Sequence, residues 1–182
     1  MNRRASPGDW CAAGLALLRD EGLDAVTVDR LCAALQKTKG SFYHHFRDMD
    51  EYLAALLARW EEELTESPIR ATAHEHDPYR RGARLESVVR ALDHRLDRAV
   101  RAWALRDERA RAAMERVDRR RIDYLAELFR ESGYREPRLL AELKYVAFVG
   151  AQQTGVFASP TRAARLSEAL RKALAWLGER EQ

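Results

Sequence analysis

No stretch of the 182-residue chain alternates apolar and polar side chains over the length of a strand, whereas apolar residues recur three and four positions apart along most of it. That is the period of helices with one buried face. Nine glycines and five prolines leave few places for turns. The expectation is an all-α fold of about nine helices. With 46% hydrophobic residues, the chain has enough apolar surface for one large core or two small ones. No apolar run approaches the roughly 20 residues needed to cross a bilayer. Met1 to Trp10 lacks the apolar centre of a signal peptide, so a cytoplasmic, nucleoid-associated location and no membrane partner are expected.

Local signals set the boundaries. Ser6-Pro7 supplies an N-cap and a proline at the first helical position, and Trp10, Leu17 and Leu18 follow up to Gly22, which predicts a helix over 7–21. Thr27 caps a second helix in which Val28, Leu31, Cys32 and Leu35 share one face, ending near Leu35. A third, short helix begins at Thr38. Asp48 with Glu51 opens a fourth, striped by Leu53, Leu56, Leu57, Trp60 and Leu64. Ser67-Pro68 breaks that pattern, and the segment to about Gly82 reads as a connector without apolar periodicity. Beyond it, Leu85, Val88, Val89, Leu92, Leu96, Val100 and Trp103 trace one face over five turns, and Met114, Val117, Leu125 and Leu128 trace another up to Gly133. A helix over 137–158 and one opened by Ser159-Pro160 close the chain. The expected division is an N-terminal head over 1–47 and a helical regulatory and dimerisation domain over 48–182, connected by a helix over 48–66.

Residues 27–46 read TVDRLCAALQKTKGSFYHHF: a helix, a tight break, and a second helix too short to stand alone. This is helix-turn-helix spacing. Thr38, Phe42 and Phe46 fall on one side of the short helix, where the two aromatics anchor it. Lys39, Gly40, Tyr43 and His44 fall on the other. That outer side offers an amine, a bare backbone, a phenol and an imidazole, a surface suited to a DNA groove. Net charge is only +3, from 32 basic and 29 acidic residues, so distribution carries the argument: Gln36 to Arg47 holds three basic residues and no acid. Arg3 and Arg4 form a basic arm of the kind that reaches a neighbouring minor groove.

Residues 10–60 resemble the DNA-binding domain of the TetR family of bacterial transcriptional regulators. Thr27-Val28, Lys39-Gly40-Ser41, Tyr43-His44-His45-Phe46 and Asp48 to Leu53 stand in the order and spacing of that family's signature. The resemblance implies phosphate contacts at Thr27, Ser41, Tyr43 and His45, and base contacts at Lys37, Thr38, Lys39, Gly40 and Tyr43. It also implies a repressor that binds a palindromic operator as a homodimer and is released by a small-molecule inducer. Two features depart from the pattern. The turn carries Gln36 and Lys37 where the family usually has Gly and an apolar residue, and Met49 replaces a common basic residue.

The body carries less explicit chemistry. Asp118 and Arg121 interrupt an apolar stripe with Val117, Tyr124 and Leu128, and buried charge is costly unless paired. They are either structurally paired or, with Trp103, Tyr124, Tyr145 and Phe148, the wall of a ligand pocket. Ala147, Ala151 and Gly155 recur every four residues and, with Leu166, Leu170 and Leu174, form the expected dimer interface. Nine arginines lie between Arg98 and Arg121, but all except four of the chain's basic residues are arginines, so a solvated face explains them. His74, His76 and Asp77 stand without a second cluster at ligand spacing, so no metal is expected; no cofactor is implied either. Cys11 and Cys32 read as buried hydrophobes. No nucleophile–base pair, phosphate loop or paired carboxylates mark an enzyme. The remaining alternative is a DNA-binding dimer with no small-molecule ligand, constitutive or controlled by a partner protein.

Overall fold

A computed structural model describes residues 4–178, and among them every regular element is helical. The described residues fall into two compact units, one comprising residues 4–63 and 95–114, the other 64–94 and 115–178.

The first unit opens with α1 (Pro7–Glu21), where Ser6 and Asp9 form a reciprocal capping box. A 3₁₀ turn, Leu23–Ala25, leads to α2 (Val28–Leu35), capped by Thr27, and then to α3 (Lys39–Tyr43), capped by Thr38. Helix α4 (Met49–Glu61) is capped by Asp48, which accepts from the Glu51 N–H at 2.8 Å. Trp10, Leu31, Phe42, Tyr52 and Leu56 are fully buried together with Trp60. Phe42 sits at the centre, with Trp10, Phe46 and Tyr52 each 5.3–5.4 Å away between ring centroids.

Helix α7 (His94–Ala104) and the first turns of α8 (Glu108–Glu131) group with this unit by packing. Asp97 of α7 is 3% exposed and accepts the Trp60 indole N–H at 2.8 Å. Arg109 of α8 reaches Asp50 of α4 at 2.7 Å. Asp107 caps α8 through the backbone N–H groups of Arg109 and Ala110. A hydrogen bond from the Arg109 guanidinium, with the Ala110 N–H, holds its carboxyl down at about 2.

The second unit contains a π-helical turn (Glu62–Glu66, from Leu64 onward), α5 (Ser67–Thr72), α6 (Pro78–Arg90), the remainder of α8, α9 (Pro137–Gln153), a 3₁₀ turn (Val156–Ala158) and α10 (Pro160–Leu177). Three sequence expectations are corrected here. The segment 67–82 is not a structureless connector: Ser67–Thr72 is helical, and Asp77 caps α6 with Pro78 at its first position. The five-turn stripe from Leu85 to Trp103 is two helices broken at 91–93, and its halves belong to different units. The helix expected over 137–158 stops at Gln153, because Gly155 takes φ +68. Asp-Pro and Ser-Pro are start signals as well as stop signals, and the short amphipathic turns they open bury too few apolar residues to show a period.

Among the described residues no helix is long and apolar enough to cross a membrane, and no group of three His, Cys, Asp or Glu side chains is placed to hold a metal. Both cysteines are buried, and burial pushes their thiols above the usual range.

Candidate nucleic-acid interface

Helix α3 is five residues long and cannot persist alone. It is held by Phe42 and Phe46, at 0% and 4% exposure, and by Thr38, whose hydroxyl accepts from the Ser41 N–H. With one face fixed in the core, the opposite face is presented outward. Lys39, Gly40, Tyr43 and His44 are exposed there, and Tyr43 packs edge-on against Phe42 with centroids 5.3 Å apart. Thr27 and Thr38 are exposed, whereas Lys37 and Ser41 are half-buried.

Gly40 is not required by the fold. A Cβ built there would meet only the Thr38 hydroxyl, at 3.8 Å. A helical glycine costs roughly 0.5–1 kcal/mol relative to alanine, so its retained benefit is a backbone that another surface can approach closely.

Two contacts within this surface follow from the tertiary structure alone. Lys39 Nζ lies 2.7 Å from Asp29 Oδ1 of α2, with both side chains well exposed, and the hydrogen bond to Asp29 raises the lysine's pKa above its ordinary value. An acid ten positions away therefore counters the main cation of the short helix. His45 Nε2 lies 2.8 Å from the Ala5 carbonyl. A carbonyl only accepts, so Nε2 carries the proton, and the ring ties the approach to α1 to the end of α3. Arg4 is exposed one residue before this tether; Arg3 lies outside the described residues.

The turn between α2 and α3 stores strain. Gln36 caps α2 at φ 53, ψ 46, in the left-handed region that favours glycine. Gln36→Gly is expected to stabilise the protein by about 1 kcal/mol in urea unfolding; an unchanged midpoint would show that the glutamine side chain offsets the backbone cost.

The residues proposed for a pocket divide. Trp103 is buried in the first unit, and the others belong to the second. There Tyr145 Oη donates to Asp118 Oδ1 at 2.6 Å, and Arg121 donates through Nε to the buried Thr65 hydroxyl at 3.0 Å and through Nη2 to the Leu64 carbonyl at 3.1 Å. Arg121 thus holds two consecutive residues of the π-turn, one by its side chain and one by its carbonyl. Burial pushes the Tyr145 phenol up to about 12, with Arg121 pulling it down and Asp118 pushing it up. Tyr124 pairs with Thr72 at 3.0 Å. The Phe148 ring lies 6.1 Å from that of Tyr145 between centroids and continues into a cluster with His94 and Phe157.

The residues expected at a dimer interface also divide. Ala147, Ala151, Leu166 and Leu170 line a groove within the second unit, Leu174 is buried, and Gly155 forms the turn after α9. The large exposed apolar residues of α9 are Leu139, Leu143 and Val146, at i, i+4 and i+7 and up to 69% exposed, with Leu143 one turn before Ala147. Trp176 and Leu177 are exposed near the end of α10. Sequence periodicity showed that α9 is apolar on more than one side but not which side its neighbours leave uncovered.

Residues 11–56 match the family model for bacterial regulatory proteins of the tetR family. Similar solved structures extend over nearly the whole chain. A TetR/AcrR family member superposes with a TM-score of 0.80 at 17% identity, covering 92% of this chain and 97% of its own. Regulatory protein TetR from Rhodobacter sphaeroides superposes at 0.71 with 25% identity, over 90% and 95%. The multidrug binding protein EbrR, solved in complex with imidazole, superposes at 0.64 with 17% identity, over 99% and 98%. No curated protein matches the chain in sequence.

Proposed function

Through residues 11–56 the chain belongs to the TetR family of bacterial regulatory proteins, and we propose that it is a repressor that binds a palindromic operator as a homodimer and is released by a small-molecule inducer. The observation that carries this reading is the outward face of α3, where Lys39, Gly40 and Tyr43 are exposed on a helix fixed by Phe42 and Phe46. Lys39 offers charge to phosphate or guanine, Tyr43 a hydroxyl to phosphate, and Gly40 close approach. Thr27, Thr38 and Ser41 supply further hydroxyl or backbone groups along the same edge, and Lys37 supplies a second amine beside the turn.

One short helix reads too few base pairs for specificity, and a two-fold dimer supplies two helices about 34 Å apart, one DNA turn. The uncovered Leu139, Leu143 and Val146 face of α9, with Trp176 and Leu177 of α10, supports self-association through these helices. The paired variant Leu143→Glu/Val146→Glu is expected to sediment as a monomer and to lose at least tenfold in operator affinity. A variant that remains dimeric would place the interface elsewhere.

Release follows from linkage: a ligand that binds more tightly to a conformation with the heads wrongly spaced weakens DNA binding by the same coupling free energy, typically ~1–3 kcal/mol. Helix α8 runs unbroken from the first unit into the second and, with the π-turn, is the covalent route for such coupling.

A salt-dependent titration of the full chain against its own upstream DNA tests the proposal. Saturable, palindrome-centred binding with a steep salt slope supports it. Weak binding that is equal on every sequence favours a protein controlled through a partner instead.

A further inference from the structure

Two contacts fix the chain where α1 begins. The Ala5 carbonyl accepts from His45 Nε2 at 2.8 Å, and the Ser6 N–H donates to Asp9 Oδ2 at 2.7 Å. These two groups belong to one peptide unit, which is therefore bound at both ends, and Ala5 itself is only 6% exposed. The His45 ring is held in turn at the end of α3, with its centroid 5.0 Å from that of His44 and 6.4 Å from that of Phe46. Consecutive Cα atoms are about 3.8 Å apart, so Arg4, which is exposed, stands one residue from a peptide tied to the end of α3.

The surrounding charges single out Arg4. In residues 4–63, Arg19, Arg30, Lys39, Arg47 and Arg59 each meet an acid at 2.5–2.9 Å. Arg4 meets none among the described residues. The acids that open α4 are already engaged: Asp48 by the Arg47 side chain, Asp50 by Arg109, and Glu51 by the Arg47 N–H. Arg4 is thus a cation available to an outside anion, and on a fixed peptide it has less freedom to lose on binding than an arginine on a loose tail. His45, by contrast, has little to offer a phosphate. In the neutral ring its one N–H, at Nε2, is spent on Ala5, and Nδ1 carries no hydrogen to donate.

We infer that His45 is a positioning residue and not itself a DNA contact: it holds the entry to α1 so that Arg4 meets the DNA flanking the base pairs read by α3. This role rests on the DNA-binding reading above and adds to it a cation from outside the helix-turn-helix. Two parts of the duplex offer Arg4 the same negative charge, a backbone phosphate and the minor groove next to the major groove that α3 enters. An arm beside a recognition helix can reach either.

The test titrates the full chain against its own upstream DNA at several salt concentrations. Arg4→Ala is expected to lose about fivefold in operator affinity at about 0.1 M salt and to make the salt slope shallower by about 0.9, as one lost cation contact requires. His45→Phe should show the same loss and the same shallower slope although Arg4 is present. Arg4→Ala/His45→Phe should then lose no more than about twofold beyond either single variant. His45→Gln, whose amide still donates to the Ala5 carbonyl, should stay within about twofold of the parent protein. An Arg4→Ala loss that persists when flanking A·T pairs are replaced by G·C marks a phosphate, and one that disappears marks the minor groove. Losses that multiply overturn the inference, because His45 then acts on DNA itself. An unmoved salt slope in His45→Phe with a lowered melting temperature also overturns it, because the role of His45 is then purely structural. The tether is read without DNA: tryptic release of residues 1–4 should be at least fivefold faster in His45→Phe than in the parent or His45→Gln, and equal rates overturn it. If the parent shows no saturable operator binding, the DNA-binding reading fails and the role of Arg4 falls with it, whereas a failure confined to the variants leaves that reading standing.

Discussion

Gly14→Ala is expected to destabilise the DNA-binding unit by about 3 kcal/mol or more, the upper end for overpacking a rigid core, and to abolish operator binding. Gly14 lies on α1 where the Tyr52 ring of α4 crosses it. A Cβ there would overlap the Tyr52 hydroxyl, and it would lie 2.9 Å from Leu56 Cδ1 and 3.0 Å from Tyr52 Cζ. The ring cannot step aside, because it is fully buried and its hydroxyl donates to the Trp10 carbonyl at 2.9 Å. Burial also raises the Tyr52 phenol well above its ordinary pKa, so it remains a donor. Tyr52→Phe alone should cost about 1 kcal/mol, the net worth of one such hydrogen bond. Combined with Gly14→Ala it removes the worst overlap, so the double variant should be more stable than Gly14→Ala alone. Urea unfolding of the four proteins closes the cycle; additive losses would show that Gly14 and Tyr52 do not meet in this way.

The second large effect concerns the face of α3. Lys39→Ala/Tyr43→Ala is expected to lose about a hundredfold in operator affinity, from two contacts of roughly 1–3 kcal/mol each. Both side chains are exposed, so the melting temperature should change little. Gly40→Ala sharpens the test: with only Thr38 Oγ1 near its Cβ, it should stabilise α3 slightly and still weaken DNA binding. Asp29→Asn should act in the opposite direction. Releasing Lys39 from its 2.7 Å partner leaves one more cation for phosphate, so binding to unrelated DNA should tighten and the salt slope should steepen by about 0.9. If Gly40→Ala and the Lys39/Tyr43 pair both leave operator affinity intact, the outward face of α3 is not the reading surface.

The head was legible because its signals are local. Ser6, Thr27, Thr38 and Asp48 each cap the helix that begins just after them, and capping depends only on a side-chain oxygen and the backbone two or three residues on. Phe42 and Phe46 declared the inward face of α3 by spacing alone. Met49 departs from the family pattern yet begins α4 in register, since Asp48 and Glu51 decide that start. The body was legible only in part. Helix α6 has no fully buried residue, and α5 buries little beyond Pro68, Ile69 and Thr72, so neither produced a long apolar period.

The sequence by itself determined the helical class, the caps, the order of the head helices and the residues on the outward side of α3, because all of these rest on interactions a few residues apart. Tertiary structure decided the rest. It brought Asp29 to Lys39, His45 to Ala5 and Arg121 to the carbonyl of the π-turn, and it grouped α7 with the head through Asp97 and Trp60. It also decided which apolar face of α9 is uncovered. Each of these depends on chain segments 10 to 57 residues apart, and side-chain period carries no information about which face of one helix a distant helix will cover.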